Sequence, residues 1–338
     1  MSLVSIVVPV YQNATSLGDL AARLRAVAGQ ESGHRFEFVF VDDGSRDDSF
    51  TALRALAAED ARVRIVKLSR NFGSQAALLA GLGEARGDCM VTLAADLQDP
   101  PEVVPEMLAQ WRQGRKVVLA ARRSRADPLA SRLLADGFYW LFRRFALPNM
   151  PRHGFDFFLV DRAVRDLITG IQENNAYLTG LILWLGFDPG VVHYDRAARP
   201  ARYGPSMWGL GRRFKHFVDS FTAFSYFPLR AASVLGVVVA VLGVLYALLV
   251  VALRVIHGFP VEGWASIMVA VLLLSGVQML MIGVLGEYLW RNLEETRRRP
   301  RFIVETVLGG GLSPLDEQHA REHERTSGHR DQADRLTQ

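Results

Sequence analysis

The 338-residue chain has one cysteine, Cys89. An intramolecular disulfide is therefore excluded, and the apolar neighbours of Cys89 predict a buried thiol suited to a reducing compartment. No Gly-x-Gly-x-x-Gly follows the first strand-like run, which argues against a nicotinamide-binding domain. No basic stripe interleaved with aromatics occurs, so nucleic acid is not an expected partner. The net charge of +4 is modest. The opening residues Met1-Ser2-Leu3-Val4-Ser5 lack a basic n-region, so no signal peptide is expected.

Charge is also missing from two long stretches, residues 231–253 and 263–286. Each exceeds the roughly 20 apolar residues that cross a bilayer core as a helix. Core helices of soluble domains rarely stay apolar on every face for that length. Arg212, Arg213, Lys215 and Arg230 precede the first stretch, and Arg291, Arg297, Arg298, Arg299 and Arg301 follow the second. The excess of basic residues outside the short connection predicts two transmembrane helices (about 231–253 and 264–288) with both ends cytoplasmic. Gly236 and Gly243 would allow close helix packing, including in a homo-oligomer. Residues 206–229 are basic and aromatic and predict an amphipathic juxtamembrane segment. A cytoplasmic C-terminal segment is expected over 291–308. The polar tail from 309 to 338 is expected to be disordered.

Residues 1–205 alternate between β-branched apolar runs and helical spacing. Strands are predicted over 4–10, 36–41, 63–68, 89–93 and 117–121. Helices are predicted over 15–28, 47–59, 74–85, 101–113 and 128–145. Such βαβα order implies a mainly parallel, doubly wound α/β sheet.

Polar residues stand where three of these strands end: Tyr11-Gln12-Asn13, Asp42-Asp43-Gly44-Ser45 and Asp96-Leu97-Gln98-Asp99. Ligands bind at the carboxyl ends of strands in open α/β sheets. Asp42, Asp43, Pro9 and Tyr11 have the chemistry to hold a nucleobase; the plainer reading of Asp42 to Ser45 is a turn. The oxygen-rich stretch from Asp96 suits a hard divalent cation and hence a phosphate-bearing substrate. For Asp99 and Glu102 the plainer reading is a helix cap and an acidic first turn.

Pro9-Val10-Tyr11, Val41-Asp42-Asp43-Gly44-Ser45, Ser69-Arg70-Asn71-Phe72-Gly73 and Ala95-Asp96-Leu97-Gln98-Asp99-Pro100-Pro101-Glu102 together resemble the motifs of one family. It is the inverting GT-A glycosyltransferases that act on polyisoprenyl phosphates, including dolichol-phosphate mannose synthases and bactoprenol glucosyltransferases. The resemblance runs from about residue 3 to 306 and includes Ser206-Met207-Trp208 through Asp219-Ser220-Phe221. It implies a Rossmann-like GT-A domain followed by membrane helices. It also implies transfer of a hexose from a UDP- or GDP-sugar, UDP-glucose or a related sugar by preference, to a polyprenyl phosphate at the cytoplasmic membrane.

The resemblance implies specific roles. Pro9, Tyr11, Asp42 and Asp43 would hold base and ribose, with Asn71 and Gly73 near the nucleotide. Asp96 and Gln98 would bind Mg2+ or Mn2+. Arg122, Arg125, Arg132, Arg202 and Ser206 would grip the acceptor phosphate and donor diphosphate, and Asp156 would act at the reaction centre. The chain departs from the family pattern at Ala94, where an aspartate is common, at Phe158, where arginine is common, and at Pro205, where lysine is common. These departures keep open a membrane scaffold with an inactive transferase-like domain. A processive polysaccharide synthase would carry Gln-x-x-Arg-Trp and more spans, and this chain has neither.

Overall fold

The computed structural model describes residues 1–123, 154–171, 177–196, 227–257 and 263–310, with isolated positions between 137 and 151 and at 173. Eight strands form one sheet: β1 (Ser2–Val10), β2 (His34–Asp42), β3 (Val63–Leu68), β4 (Cys89–Thr92), β5 (Val117–Arg122), β6 (Phe157–Asp161), β7 (Gly190–Tyr194) and β8 (Val304–Gly309). Their spatial order is β7-β5-β6-β4-β1-β2-β3-β8. The pairs β1–β2, β1–β4, β2–β3 and β5–β7 are parallel. The strands β6 and β8 run antiparallel to their neighbours. The sheet is thus mixed around a parallel centre.

Alternation along the central strands feeds two cores. Val4, Ile6, Val8 and Val10 of β1 join Leu17, Leu20 and Leu24 of α1 (Ala14–Gln30), Leu53 of α2 (Ser49–Glu59) and Met107 of α4 (Val104–Arg112). On the opposite face Val7, Val39 and Val41 pack with α3 (Ser74–Glu84), in a core that also takes in Val164 and Ile168 of α5 (Arg162–Gly170) and Leu178 and Ile182 of α6 (Leu178–Trp184). Covering both faces is what makes these strands continuously apolar. A side chain at Gly81 in α3 would run into Val7 and Val41, so glycine there lets the helix sit close on β1 and β2.

Pro9 lies inside β1, paired with Val41, within the strand predicted over 4–10. Val7, and by alternation Pro9, turn toward β4, and the β1–β4 ladder ends at Val7↔Thr92. No ladder bond is needed from the nitrogen that proline lacks.

The helices α7 (Phe227–His257) and α8 (Trp264–Arg297) are long and apolar enough to cross a membrane. Neither Leu229–Leu253 nor Val269–Arg297 is enclosed as a core helix would be. Gly236 faces Met281, so it serves packing within this helix pair. After α8 the chain returns to the sheet. The strand β8 pairs with β3 from Arg64↔Gly309 to Leu68↔Val304, and Phe302 and Val304 pack on the second core. The segment expected as a separate cytoplasmic piece over 291–308 therefore ends as a strand of the N-terminal domain. The expected helix over 128–145 is described only at isolated positions. The juxtamembrane segment up to residue 226 and the tail from 311 lie outside the described residues.

Candidate active site

The strands β1 to β5 and β7 all present their carboxyl ends at one edge of the sheet, and antiparallel β6 begins there. Val10 is level with Asp42, Val7 with Thr92, and Arg122 with Tyr194. This topology brings residues from distant parts of the chain together.

The first half of the site lies beyond β1, β2 and β3. The Gln12 N–H donates to Ser45 Oγ at 3.1 Å, and the Asn13 N–H donates to Ser49 Oγ at 2.9 Å. Gln12 adopts a left-handed φ of 54° in this tight crossing. Ser16 Oγ donates to the Ala95 carbonyl at 2.8 Å, which ties α1 to the loop after β4. Tyr11, Ser45, Arg46, Lys67, Arg70, Asn71 and Glu305 line a cavity of about 260 Å³.

Asp42 is fully buried at the end of β2. One carboxylate oxygen accepts the Ser45 N–H at 3.2 Å, while Oδ2 has no hydrogen-bond partner. Burial raises its pKa from the usual aspartate value. A buried acceptor without a partner is costly, and a ligand N–H would relieve that cost.

Asp43 has a different task. Its two oxygens accept the Phe72 N–H at 2.7 Å and the Gly73 N–H at 2.9 Å, so it pins the loop that carries Asn71. Burial pushes its pKa up to about 6. Above its unfolded value the folded chain holds this proton more tightly, so protonation stabilises the fold as pH falls. The shift corresponds to about 3 kcal/mol, present below about pH 4 and lost as pH rises through about 6. Against an Asp43→Asn variant, wild type is expected to gain unfolding free energy as pH drops from about 7 to about 4. A constant difference across that range in chemical denaturation would contradict the assignment.

Gly44 follows with φ +66°, and a Cβ there would lie 2.5 Å from the Arg70 carbonyl carbon. Backbone cannot swing aside as a side chain can. Gly44→Ala is expected to cost at least about 1–3 kcal/mol in thermal unfolding and to splay the walls of the cavity. An unchanged melting temperature would show that the two loops are not so tightly apposed.

The second half of the site gathers around Asp99. This side chain is 2 % exposed and accepts the Tyr194 Oη–H at 2.5 Å. Asp99 therefore does not cap the following helix, whose start at Pro101 has no side-chain cap. Burial raises its pKa, opposed by the charge of Arg122. Arg122 Nε donates to Tyr194 Oη at 3.4 Å, and its Nη2 pairs with Asp156 Oδ2 at 2.8 Å. The carboxylates around Arg122 outweigh its burial and hold its pKa above normal. Arg196 lies 3.8 Å from Asp99 Oδ1 and donates to Gln98 Oε1 at 2.7 Å. Glu102 in the first turn pairs with Arg23 at 2.5 Å.

Pro9, Tyr11, Asp42, Asp43, Asn71 and Gly73 thus lie along one half of the edge, and Asp96, Gln98, Arg122 and Asp156 belong to the other. Arg125, Arg132, Arg202 and Ser206 lie outside the described residues. Tyr194, Arg196, Lys67 and Glu305 were not anticipated. The signal for Tyr194 was its place at the end of another parallel strand.

For a divalent cation the fit rests on Asp96. Its Oδ1 accepts the Gln98 N–H at 3.2 Å across a residue in left-handed backbone, Leu97 with φ 58°. Among the described residues no cluster of three or more His, Cys, Asp or Glu side chains could hold a metal. A single carboxylate suffices where substrate phosphates complete an Mg2+ shell. The Gln98 oxygen would first have to leave Arg196.

A model of glycosyl transferase family 2 matches residues 5–166. The chain is 38% identical over 306 residues to the uncharacterized glycosyltransferase YkcC of Bacillus subtilis, covering 90% of this chain and 94% of that protein. It is 36% identical over 309 residues to the prophage bactoprenol glucosyl transferase homolog of Escherichia coli, covering 90% and 99%. The bactoprenol glucosyl transferase of Shigella phage SfV is 35% identical over 306 residues, covering 89% and 97%. With that identity spanning both the mixed sheet and the apolar helices, the chain belongs to glycosyl transferase family 2 and has its GT-A fold.

Proposed function

We propose that the protein transfers a hexose, with inversion, from a nucleotide sugar such as UDP-glucose to a polyprenyl phosphate at the cytoplasmic face of a membrane. The observation that carries the donor half is the unpartnered Oδ2 of Asp42, buried behind the cavity that Gly44, Ser45 and Lys67 line. Uracil and guanine each offer a ring N–H for that acceptor. The acceptor half is supported by relatives named bactoprenol glucosyl transferase and by the two apolar helices.

The acceptor is a phosphate monoester with a second pKa near ~6, so at neutral pH it is largely ionised. Its oxygen attacks the anomeric carbon from the face opposite the nucleoside diphosphate. The new C–O bond forms as the bond to the diphosphate breaks, and the electron pair leaves with the diphosphate. No proton has to be removed from an ionised acceptor. Asp156 accordingly orients the acceptor or faces the positive charge that develops on the sugar, while Arg122 fixes its carboxylate. Arg196 lies beside the Asp96 loop, where a cation stabilises developing diphosphate charge. A divalent cation on Asp96 would supply further charge stabilisation there.

The return of the chain to β8 supports the topology. A chain that leaves a domain, crosses a bilayer twice and rejoins that domain ends on the side where it began. The two spans then hold the site at the surface where the lipid phosphate emerges, which raises the effective acceptor concentration.

Isothermal titration of the full-length protein with UDP and GDP, with Mg2+ or Mn2+ present, tests the donor site. Binding by wild type and its loss in Asp42→Leu is the expected result. No binding of either nucleotide would favour an inactive scaffold.

A further inference from the structure

We propose that strand β8, formed only after the chain has passed its two apolar helices, completes the donor pocket, and that Glu305 selects the nucleobase by fixing Lys67. The inference rests on the donor reading above and adds which element sets base preference.

Pairing across three strands places Asp42, Lys67 and Thr306 in one row at the strand ends. Glu305, next to Thr306, lines the same cavity as Tyr11 and Lys67. The Lys67 ammonium lies 3.0 and 2.9 Å from the two Glu305 carboxylate oxygens. It also sits 4.9 Å from the centroid of the Phe50 ring. A flexible ammonium is thereby held between a carboxylate and a ring face. One of its three N–H groups is hydrogen-bonded to Glu305 Oε1, which leaves donor capacity to meet a ligand.

Charge gives Glu305 a second task. Arg46, Lys67 and Arg70 also line the cavity, and Glu305 is the one acidic side chain among the described lining residues. Paired with Glu305, Lys67 has its charge balanced and serves as an oriented hydrogen-bond donor. Without it, three cations would surround the space, a setting that suits phosphate better than a neutral base. A fixed N–H donor favours a base edge that carries a carbonyl, as in uracil and guanine. It disfavours an edge that carries an amino group in the equivalent place, as in cytosine and adenine, because the donor would face a donor. The strand that sets this preference is delivered by the return of the chain from the apolar helices, so the pocket is built from both ends of the chain.

The test is titration of full-length wild type, Glu305→Gln and Lys67→Met with UDP, GDP, CDP and inorganic pyrophosphate. Wild type is expected to prefer UDP or GDP over CDP by about tenfold or more, roughly the value of one well-placed hydrogen bond to a charged group. Glu305→Gln is expected to lose at least about fivefold of that preference while pyrophosphate binds no more weakly. Lys67→Met is expected to lose the preference as well, and it decides the matter if Glu305→Gln does not fold. Two results would overturn the proposal: a wild type that prefers CDP, or a preference retained within about twofold in a folded variant. A wild type that binds no nucleoside diphosphate would instead sink the donor reading on which the proposal stands.

Discussion

Asp156→Ala is expected to lower kcat by about 10²–10³-fold, the range for losing one group that stabilises charge in the transition state, while nucleotide binding is preserved. The separation follows from the geometry. Asp156 directly precedes β6 and is paired with Arg122, whereas the cavity proposed for the nucleotide lies beyond β1, β2 and β3. Asp156→Asn distinguishes what the carboxylate does. The amide keeps an oxygen for the Arg122 guanidinium but has no basic oxygen to take a proton. Because the acceptor phosphate is already ionised, Asn is expected to retain far more turnover than Ala. Equal loss in both would mean that Asp156 acts through its negative charge, on a proton or on the developing sugar cation, and not by orienting the acceptor. The measurement is steady-state kinetics of both variants at neutral pH, with kcat and KM reported separately. Tyr194→Phe gives a companion reading, since it takes away the hydroxyl that links buried Asp99 to Arg122.

Asp96→Ala is expected to reduce kcat/KM for the donor by about 10²-fold or more, because on the proposed reading it removes the carboxylate that would hold the divalent cation. The loop itself should survive, since Ser16 holds it through the Ala95 carbonyl. Ala94→Asp is the converse experiment. If the site is short of a ligand, a second carboxylate should lower the Mg2+ or Mn2+ concentration that gives half-maximal activity. Activity of Asp96→Ala equal to wild type at every metal concentration would remove Asp96 from the mechanism.

Local signals carried much of this architecture, and non-local ones did not. The strand read over 63–68 from its β-branched run matches β3, and the β1 and β2 runs fall within a few residues of their observed bounds. Asp42 was legible because a charged residue at the end of an apolar strand has few explanations. Asp99 was misread as a cap because proline and glutamate follow it. Its actual partner, Tyr194, stands 95 residues away and meets it only through the β5–β7 pairing. Asp43 looked like a second base ligand, and its bonds to the Phe72 and Gly73 amides depend on a loop 30 residues on. The strand β8 escaped notice because it follows two apolar helices, although Val304, Val307 and Leu308 are strand formers. No periodicity indicates that it rejoins β3.

The central claim is the transfer itself. Membranes containing the full-length protein, incubated with polyprenyl phosphate and sugar-labelled UDP- and GDP-hexoses, should move label into the organic phase. The product should be a polyprenyl-phosphate sugar of inverted anomeric configuration, and Asp156→Ala membranes should form far less of it. Label that stays entirely in the aqueous phase with every donor, in membranes whose protein binds UDP or GDP, would contradict the account.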